Sequence, residues 1–435
     1  MSIELYPIIG RRPRFAGSLA SLNDFIYANG DAAAGNQLHE SAKHSCTSVT
    51  TLTPQEFLDN PHYSLYCFEP NQARVIFVAL PPQLDLTAVP FTHQAQYEEA
   101  LHLVTVPYAL FNQLAEHLPV PAHPIFLYMS ARSGSTLLSH ALNASGAVSS
   151  LSEPDAVTQF VHLRAAHADN GCTNNAPSLG KNELVTLANS TMRYLFRAPA
   201  THMGGQLRIA QAVKFRSEGI QVMDLFQQAF PKATNIFLYR DALGWVNSFH
   251  RIFTKLNLAQ SRTVDEWQQM YEGFLQCDLS YLRRYLAPTA THLSLAEQLT
   301  LWWIAVMEWY LAQWQAGTPV LAVRYNDLNR ERELTLEAIF GWCALPATAV
   351  QSALAAFDQD AQAGTDLARD EATKGATLTL DAQAVGEITA ILQRHPQLRH
   401  PNYWAPGTLD LNFYRNSRRQ LHTADEARMA MIQPL

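Results

Sequence analysis

Three positively charged residues each come at the end of a short apolar segment. They are Arg132 after Ile125–Met129, Lys214 after Arg208–Val213 and Arg240 after Asn235–Tyr239. A charged side chain is costly inside a protein unless it is paired, so a single residue of this kind is usually one half of a structural ion pair. Three of them in corresponding positions favour instead the binding of a ligand that carries several negative charges.

The segment around the first cation has the composition of an anion-binding loop. Residues 130–138 read Ser-Ala-Arg-Ser-Gly-Ser-Thr-Leu-Leu, and a helical pattern continues to about Ala144. A helix N-terminus attracts anions through its unbonded backbone N–H groups and its dipole. Ser135 and Thr136 add hydroxyl donors, and Arg132 adds a guanidinium. This segment alone supports phosphate binding and an ordinary serine-rich turn equally well.

The same loop lacks the lysine of an ATP-binding Walker A motif. That motif requires Gly and Lys where this chain has Met129 and Ser135. Chemistry at the γ-phosphate of ATP is therefore disfavoured. A P-loop kinase that uses ATP and binds Mg²⁺ through Asp241 is nevertheless kept as one alternative function.

Two polar residues follow the third apolar segment. Asp241 is a natural N-cap for the helix that begins there. Ser248 lies 248 − 240 = 8 residues after Arg240, which is about two turns into that helix.

Tyr325 and Glu153 have weaker support from the residues alone. Tyr325 follows the apolar segment Val320–Val323, where an aromatic ring can pack beside a nucleotide base or cover the edge of a sheet. Glu153 follows Ala147-Val148, where we expect the chain to return as the strand beside the anion loop. A carboxylate there can accept a proton from an incoming hydroxyl. A surface glutamate, or one paired with a cation, explains Glu153 at least as well.

Alternating strand and helix patterns must position these residues. The four apolar segments have the length of strands and are separated by helical patterns, which predicts β-α-β units and a mostly parallel, buried sheet. In such a sheet ligands bind at the carboxyl ends of the strands, where the polar residues above lie. The predicted fold class is α/β.

The N-terminal part of the chain has a different character. The Pro-rich segment Leu118–Pro124 predicts a stiff linker between a small α+β lobe, residues 1–118, and a main domain, residues 124–435. Within the lobe, Tyr63–Phe68 and Ala73–Leu80 are predicted to form a hairpin. Gln94–Val104 and Ala109–Leu118 are predicted to be helices. No chemistry is assigned to this lobe, so its role stays open.

Composition excludes several classes of protein. The chain has 435 residues, with 31 Lys and Arg against 38 Asp and Glu and a formal charge of −7, which gives no general footprint for nucleic acid. No apolar stretch has the length of a membrane span, and the N-terminus lacks the apolar core of a signal peptide. The five cysteines are scattered without C-x-x-C spacing, which predicts a reducing, cytoplasmic location.

Together these segments resemble the sulfotransferase family that uses 3′-phosphoadenosine 5′-phosphosulfate, and most of all its tyrosylprotein and Golgi branch and bacterial relatives. The motifs that carry the resemblance are Ala131–Leu137, then Phe230–Ala233 continued by Arg240, Asp241 and Ser248, and finally Arg324–Leu328. Ala131 and Ala242 replace the proline of the family, and Asn326 replaces its glutamate. None of these departures removes a charged contact to the cofactor.

The resemblance implies a P-loop-like three-layer fold and transfer of a sulfuryl group from this cofactor to a hydroxyl or amine, with adenosine 3′,5′-bisphosphate as product and no metal. The implied cofactor residues are Arg132, Ser133, Gly134, Ser135, Thr136 and Leu137 for the 5′-phosphosulfate, Arg240 and Ser248 for the 3′-phosphate, and Tyr325.

The resemblance also implies catalytic roles for Arg132, Lys214 and Glu153. Lys214 would touch the transferring group. Glu153, 153 − 132 = 21 residues after Arg132, matches the acidic base of the tyrosylprotein branch. Thr373–Gly375 is the counterpart of the segment that closes the cofactor pocket. A non-catalytic nucleotide-binding module is the third alternative, and it is disfavoured because the chain retains all the implied cations.

The acceptor is not specified by these motifs and is predicted to be a small molecule, a glycan or a peptide. The resemblance places acceptor specificity in residues 155–200 and 251–300 and in the N-terminal lobe. The tryptophans Trp302, Trp303, Trp309 and Trp314 have the spacing of a core helix, which we favour over a sugar or lipid pocket. The oligomeric state stays open, with a homodimer as one option.

Overall fold

The computed structural model describes residues 2–14, 17–27, 49–165, 179–197, 208–275, 277–365 and 380–417. The strands within these ranges are β1 Ile3–Arg11, β2 Phe25–Tyr27, β3 Thr50–Leu52, β4 Tyr63–Glu69, β5 Arg74–Ala79, β6 His102–Pro107, β7 Pro124–Met129, β8 Val148–Ser152, β9 Ala210–Lys214, β10 Thr234–Tyr239, β11 Arg262–Thr263, β12 His292–Leu293 and β13 Leu321–Arg324.

The α-helices of the same ranges are α1 Pro54–Asp59, α2 Thr92–Glu99, α3 Tyr108–Ala115, α4 Ser135–Ala144, α5 Asp155–Thr158, α6 Phe160–Ala165, α7 Lys181–Leu195, α8 Met223–Ala229, α9 Ala242–Lys255, α10 Val264–Leu275, α11 Leu295–Gln315, α12 Tyr325–Arg330, α13 Arg332–Trp342, α14 Val350–Leu354, α15 Ala382–Arg394 and α16 Leu411–Ser417. Short 3₁₀ helices include Ser217–Val222 and Ser280–Tyr285.

The chain forms two compact units that are not contiguous in sequence. The first unit contains residues 1–122, 151–202 and 228–231, and the second contains residues 123–150, 203–227 and 232–435. The N-terminal stretch of the first unit therefore ends inside the segment predicted as a linker. Compactness does not by itself show that a unit folds alone, so the predicted domains, residues 1–118 and 124–435, stay predictions.

The first unit is built on an antiparallel sheet. Its strands are ordered β2-β1-β6-β5-β4, and β3 pairs with β1. β4 and β5 pair in antiparallel register from Tyr63 opposite Ala79 to Glu69 opposite Arg74, which confirms the predicted hairpin. Phe57, Phe77 and Tyr194 are among the aromatic rings that pack together in this unit.

The predicted helix Gln94–Val104 is wrong in its second half. Helix α2 ends at Glu99, and His102–Pro107 forms β6, which pairs with both β5 and β1. The stretch Leu103–Val106 contains three β-branched residues out of four and lies with both faces buried, so pairing in the sheet determines its conformation. The predicted helix Ala109–Leu118 is present as α3.

The second unit is built on a parallel sheet of α/β type, as predicted. Within the described residues the sheet has five strands in the order β13-β10-β7-β9-β8. β10 pairs in parallel with β7 and β13, and β7 pairs in parallel with β9. The carboxyl ends of these strands meet at one edge of the sheet, and this places the residues that follow them near one another. β9 separates β8 from β7, so the strand before Glu153 is not beside the anion loop as predicted.

The central strands of this sheet are apolar because both of their faces are covered. All six residues of β7 and all six of β10 are buried, as expected for strands of a parallel sheet that carries helices on both faces. Helix α11 packs alongside, with Trp302 and Trp303 at 4% and 0% exposure. The core interpretation is confirmed for these two tryptophans. Within the described residues, no helix combines the length and apolar composition needed to cross a bilayer.

Candidate functional site

The loop between β7 and α4 has an unusual backbone. Ala131 and Arg132 have φ values of 57° and 48°, and Gly134, the N-cap of α4, has a φ of 82°. Left-handed backbone is uncommon for residues other than glycine, so the surrounding structure holds this loop in place. The backbone N–H of Ser130 donates to the carbonyl of Leu238 at 2.9 Å. A loop of this kind before a helix N-terminus is a general anion-binding arrangement.

Two hydroxyls of this loop are buried and lack a hydrogen-bond partner among the described residues. They are Ser130 Oγ and Ser133 Oγ, and both residues are 0% exposed. A buried hydroxyl without a partner is unfavourable, so oxygen atoms of a bound anion would stabilise the loop. The donor set of the loop therefore fits a phosphate or sulfate group.

Arg132 links this loop to helix α9. Its Nε donates to Ser248 Oγ at 3.1 Å, and its Nη1 donates to Gln362 Oε1 at 3.2 Å. The structure thus brings together two of the predicted cofactor residues, which are 116 positions apart in the chain. Gln362 was not predicted, because its position depends on how the segment after α14 folds back.

Lys214 is the last residue of β9, and it is almost completely buried, at 1% exposure. Its Nζ donates to Thr136 Oγ1 at 2.8 Å, so the predicted lysine meets the first turn of α4. An ammonium next to a helix N-terminus adds positive charge at the end where an anion would bind.

Arg240 lies against Tyr325. The guanidinium carbon is 4.5 Å from the centre of the tyrosine ring, within the range of a cation–π contact. The Nε atom of Arg240 is buried and has no hydrogen-bond partner within the described ranges. Tyr325 also packs against the anion loop, because a Cβ added to Gly134 would lie 3.2 Å from its ring.

Three guanidinium groups repel one another at this site. Burial lowers the pKa of Arg132, and the positive charges of Arg240 and Arg251 lower it further, with Asp360 acting in the opposite direction. Burial also lowers the pKa of Arg240, where Tyr325 and Asp241 oppose the effect and Arg251 adds to it. A bound anion would relieve this repulsion.

Arg251 was missed by the sequence analysis. It lies on α9 three residues after Ser248, and residues three apart share one face of a helix. The three-residue spacing from Ser248 was therefore the sequence feature that could have identified Arg251.

Asp241 acts as the N-cap of α9. Its Oδ1 accepts a hydrogen bond from the backbone N–H of Gly244 at 2.8 Å, as predicted. No group of three or more His, Cys, Asp or Glu side chains in the described part of the chain is arranged to hold a metal ion.

Glu153 belongs to the first compact unit. It is half-buried, and its backbone is left-handed, with a φ of 54°. Its predicted role as proton acceptor stays a prediction. Thr373–Gly375 lies outside the described residues.

A cavity of about 620 Å³ lies in the second unit. Its lining includes Asp241, Arg324, Asp327 and His400, but not the cluster formed by Arg132, Lys214 and Ser248. The buried loop hydroxyls without a partner among the described residues and the cations beside them belong to the cluster and not to this cavity, so we take the cluster as the candidate site.

No protein-family model and no curated protein matches the chain. Among solved structures, the chain is similar to the crystal structure of the sulfotransferase STF9 from Mycobacterium avium, with 15% sequence identity and a TM-score of 0.31. The match covers 65% of this chain and 78% of that one. A likeness this distant carries no argument about the fold or the function of this chain.

Proposed function

We propose that the chain is a sulfotransferase that moves a sulfuryl group from 3′-phosphoadenosine 5′-phosphosulfate to a hydroxyl or amine. In this proposal residues 124–435 form a P-loop-like domain, and the enzyme works in the cytoplasm. The observation that carries the proposal is the cluster of cations around the anion loop. Arg132 bonds to Ser248, Lys214 bonds to Thr136, and Arg240 lies against Tyr325, whose ring packs on the loop. Such a cluster suits a ligand with more than one anionic group, as a nucleotide with phosphates at both its 3′ and 5′ positions has.

The residues of the site fit the two ends of this cofactor. The loop residues Ser133 to Leu137, with Arg132, would hold the 5′-phosphosulfate. This loop precedes a helix, and the buried hydroxyl of Ser133 has no partner among the described residues. Arg240 and Ser248 would hold the 3′-phosphate, and Tyr325 would contact the nucleotide from its place beside Arg240. The cofactor, when bound, supplies an activated sulfuryl group.

The cations of the chain suit this chemistry. Negative charge develops on the phosphate that leaves, and preorganised donors stabilise such charge best when they are fixed before the reaction. Lys214 is fixed by its bond to Thr136 and would stabilise the bridging or sulfuryl oxygens. Glu153 would accept the proton of the acceptor. Three arginines and a lysine of the protein can supply the positive charge that Mg²⁺ provides in a kinase.

The proposal includes several acceptors and assemblies, and two alternative functions compete with it. The acceptor would be a small molecule, a glycan or a peptide, and a homodimer is one possible assembly. A kinase that uses Asp241 for Mg²⁺ is less well supported, since the carboxylate of Asp241 already caps α9. A module that binds a nucleotide without catalysis would bind the same ligand but release no sulfate.

The test is a calorimetric titration of the full chain with adenosine 3′,5′-bisphosphate, with and without Mg²⁺, and with ATP·Mg in a separate run. We expect tight binding of the bisphosphate that does not depend on Mg²⁺. Binding of ATP·Mg alone would overturn the proposal in favour of a kinase. Absence of binding by both nucleotides would overturn the cofactor assignment.

A further inference from the structure

The segment that carries Glu153 has a backbone conformation that it would not adopt alone. The φ of Glu153 is 54°, in the left-handed region that residues with a Cβ rarely occupy. Pro154 follows, and a proline restricts the preceding residue to extended backbone. A conformation disfavoured in two ways persists only where contacts hold it in place.

One such contact comes from His93 on helix α2 of the same compact unit. The Nδ1 atom of His93 lies 2.9 Å from the carbonyl oxygen of Glu153. A carbonyl oxygen can only accept, so the ring nitrogen must carry the hydrogen in this bond. The imidazole therefore fixes the orientation of the peptide that joins Glu153 to Pro154.

A second contact anchors the same segment two residues further on. Asp155 is 0% exposed, and its Oδ1 lies 3.7 Å from His93 Nδ1. Its Oδ2 accepts from Arg14 Nη2 at 3.2 Å and from the backbone N–H of Ala20 at 2.7 Å. His93 Nδ1 thus bonds to the carbonyl of Glu153 and also faces the buried carboxylate of Asp155 at a longer distance.

We propose that His93 is a positioning residue, which aims the carboxylate of Glu153 by holding the carbonyl group of the same residue. This inference rests on the proposed function, in which Glu153 accepts the proton of the acceptor. It also gives the N-terminal residues a role, because Arg14, Ala20 and His93 together hold the segment that presents the base.

The test uses the full chain and water as acceptor, so that no natural acceptor has to be known. Cofactor labelled with ³⁵S is incubated with the enzyme, and released sulfate is counted. Attack of the water oxygen on sulfur breaks the bond from sulfur to the 5′-phosphate oxygen, releases sulfate and adenosine 3′,5′-bisphosphate, and passes a proton from the water to Glu153.

Three substitutions separate positioning from general stability. In His93→Asn the amide nitrogen lies near the site of Nδ1, in His93→Gln it lies near the site of Nε2, and His93→Ala provides no donor. We expect His93→Ala and His93→Gln to lower kcat by about 10- to 100-fold, since a displacement of about 1 Å can cost 10²-fold. His93→Asn should restore kcat to within about threefold, and the Kd for the bisphosphate should be unchanged in all three.

Two further variants complete the design. Glu153→Gln sets the rate in the absence of the base, and His117→Ala, a change at an exposed histidine of the same unit, should match the wild type. Equal kcat for His93→Gln and the wild type would overturn the positioning role while leaving the proposed function intact. A wild type that neither binds the bisphosphate nor releases sulfate would overturn the proposed function and this inference with it. A wild type that binds the bisphosphate but releases no sulfate would overturn both the proposed catalytic activity and the positioning role of His93, and would leave only the nucleotide site.

Discussion

Arg240 is the residue through which the cofactor assignment can be tested most directly. We expect Arg240→Ala to weaken binding of adenosine 3′,5′-bisphosphate by about 10- to 100-fold, because a hydrogen bond to a charged group contributes roughly 1.5–3 kcal/mol. Titration calorimetry measures the change. Arg283→Ala is the control, since it removes the same charge from an exposed position where Arg283 pairs with Asp265. Equal loss of affinity in both variants would show a general charge effect and not a specific contact.

Gly244 permits the position that Arg240 adopts. A Cβ at residue 244 would lie 2.7 Å from Arg240 Nε and 2.9 Å from Asp241 Oδ2. We expect Gly244→Ala to displace the guanidinium and to raise the Kd for the bisphosphate at least about fivefold, roughly 1 kcal/mol.

The matched control for this change is Gly386→Ala on α15, where an added Cβ meets nothing within 4 Å. That variant should gain about 1 kcal/mol of stability, the usual effect of replacing a helical glycine by alanine, without altering the Kd. If Gly244→Ala also binds normally, the close approach of residue 244 does not position Arg240.

Helix α9 depends on its N-cap, Asp241. Substitutions of this residue distinguish a structural cap from the metal-binding aspartate of the kinase alternative. Asp241→Asn retains a cap acceptor and should leave both stability and binding of the bisphosphate unweakened, whereas Asp241→Ala should cost about 1 kcal/mol in the free energy of unfolding. Denaturant titration and calorimetry measure the two effects. A protein in which Asp241→Asn abolishes the binding of ATP·Mg would instead have a metal-binding aspartate.

At the level of elements, the sequence was sufficient where the pattern is local. Four strands of the parallel sheet follow from runs of apolar residues, and the N-cap of α9 follows from the single polar residue Asp241 after β10. β6 was not predicted, because the helical spacing of Gln94–Glu99 continues into a segment whose conformation is determined by pairing with β1 and β5. The order of the strands is likewise decided by contacts that no local pattern records, as the place of β8 shows.

The candidate site was predictable to a similar degree. The ends of the strands identify Arg132, Lys214 and Arg240, and the spacing of the helix identifies Ser248. Arg251 and Gln362 reach the site only through the packing of α9 and of the segment after α14. The environment of Glu153 could not be predicted, since its partner His93 lies 60 residues away.

At the scale of the whole molecule, Glu308 is a point where pH affects the stability of the second unit. Its Oε1 accepts from Tyr285 at 2.7 Å and from His395 Nε2 at 3.1 Å, and it pairs with Arg284 at 3.1 Å. Burial alone would raise the pKa of Glu308, but the hydrogen bonds from His395 and Tyr285 outweigh it, so the pKa lies below its ordinary value.

A carboxylate with a depressed pKa in the folded state stabilises the fold above its unfolded pKa, and the contribution is lost as pH falls through the folded value. We therefore expect Glu308→Gln to lower the free energy of unfolding by about 1–3 kcal/mol at neutral pH. The difference from the wild type should shrink as the pH is lowered below about 4.5, the ordinary pKa of a glutamate. Urea titrations at pH 7 and at acidic pH provide the comparison. A difference that stays constant with pH would mean that packing, and not the charge of Glu308, is responsible.

Two indole rings hold the carbonyl groups at the ends of the central strands. Trp245 Nε1 donates to the carbonyl of Ser130, and Trp303 Nε1 donates to the carbonyl of Arg240 at 3.1 Å. Both fluorophores are therefore bonded directly to the backbone of the proposed nucleotide site. Their emission responds to the local electric field, so the arrival of a nucleotide with two phosphate groups should change the intrinsic fluorescence of the unlabelled protein. The chain thus contains its own optical reporter for screening nucleotides.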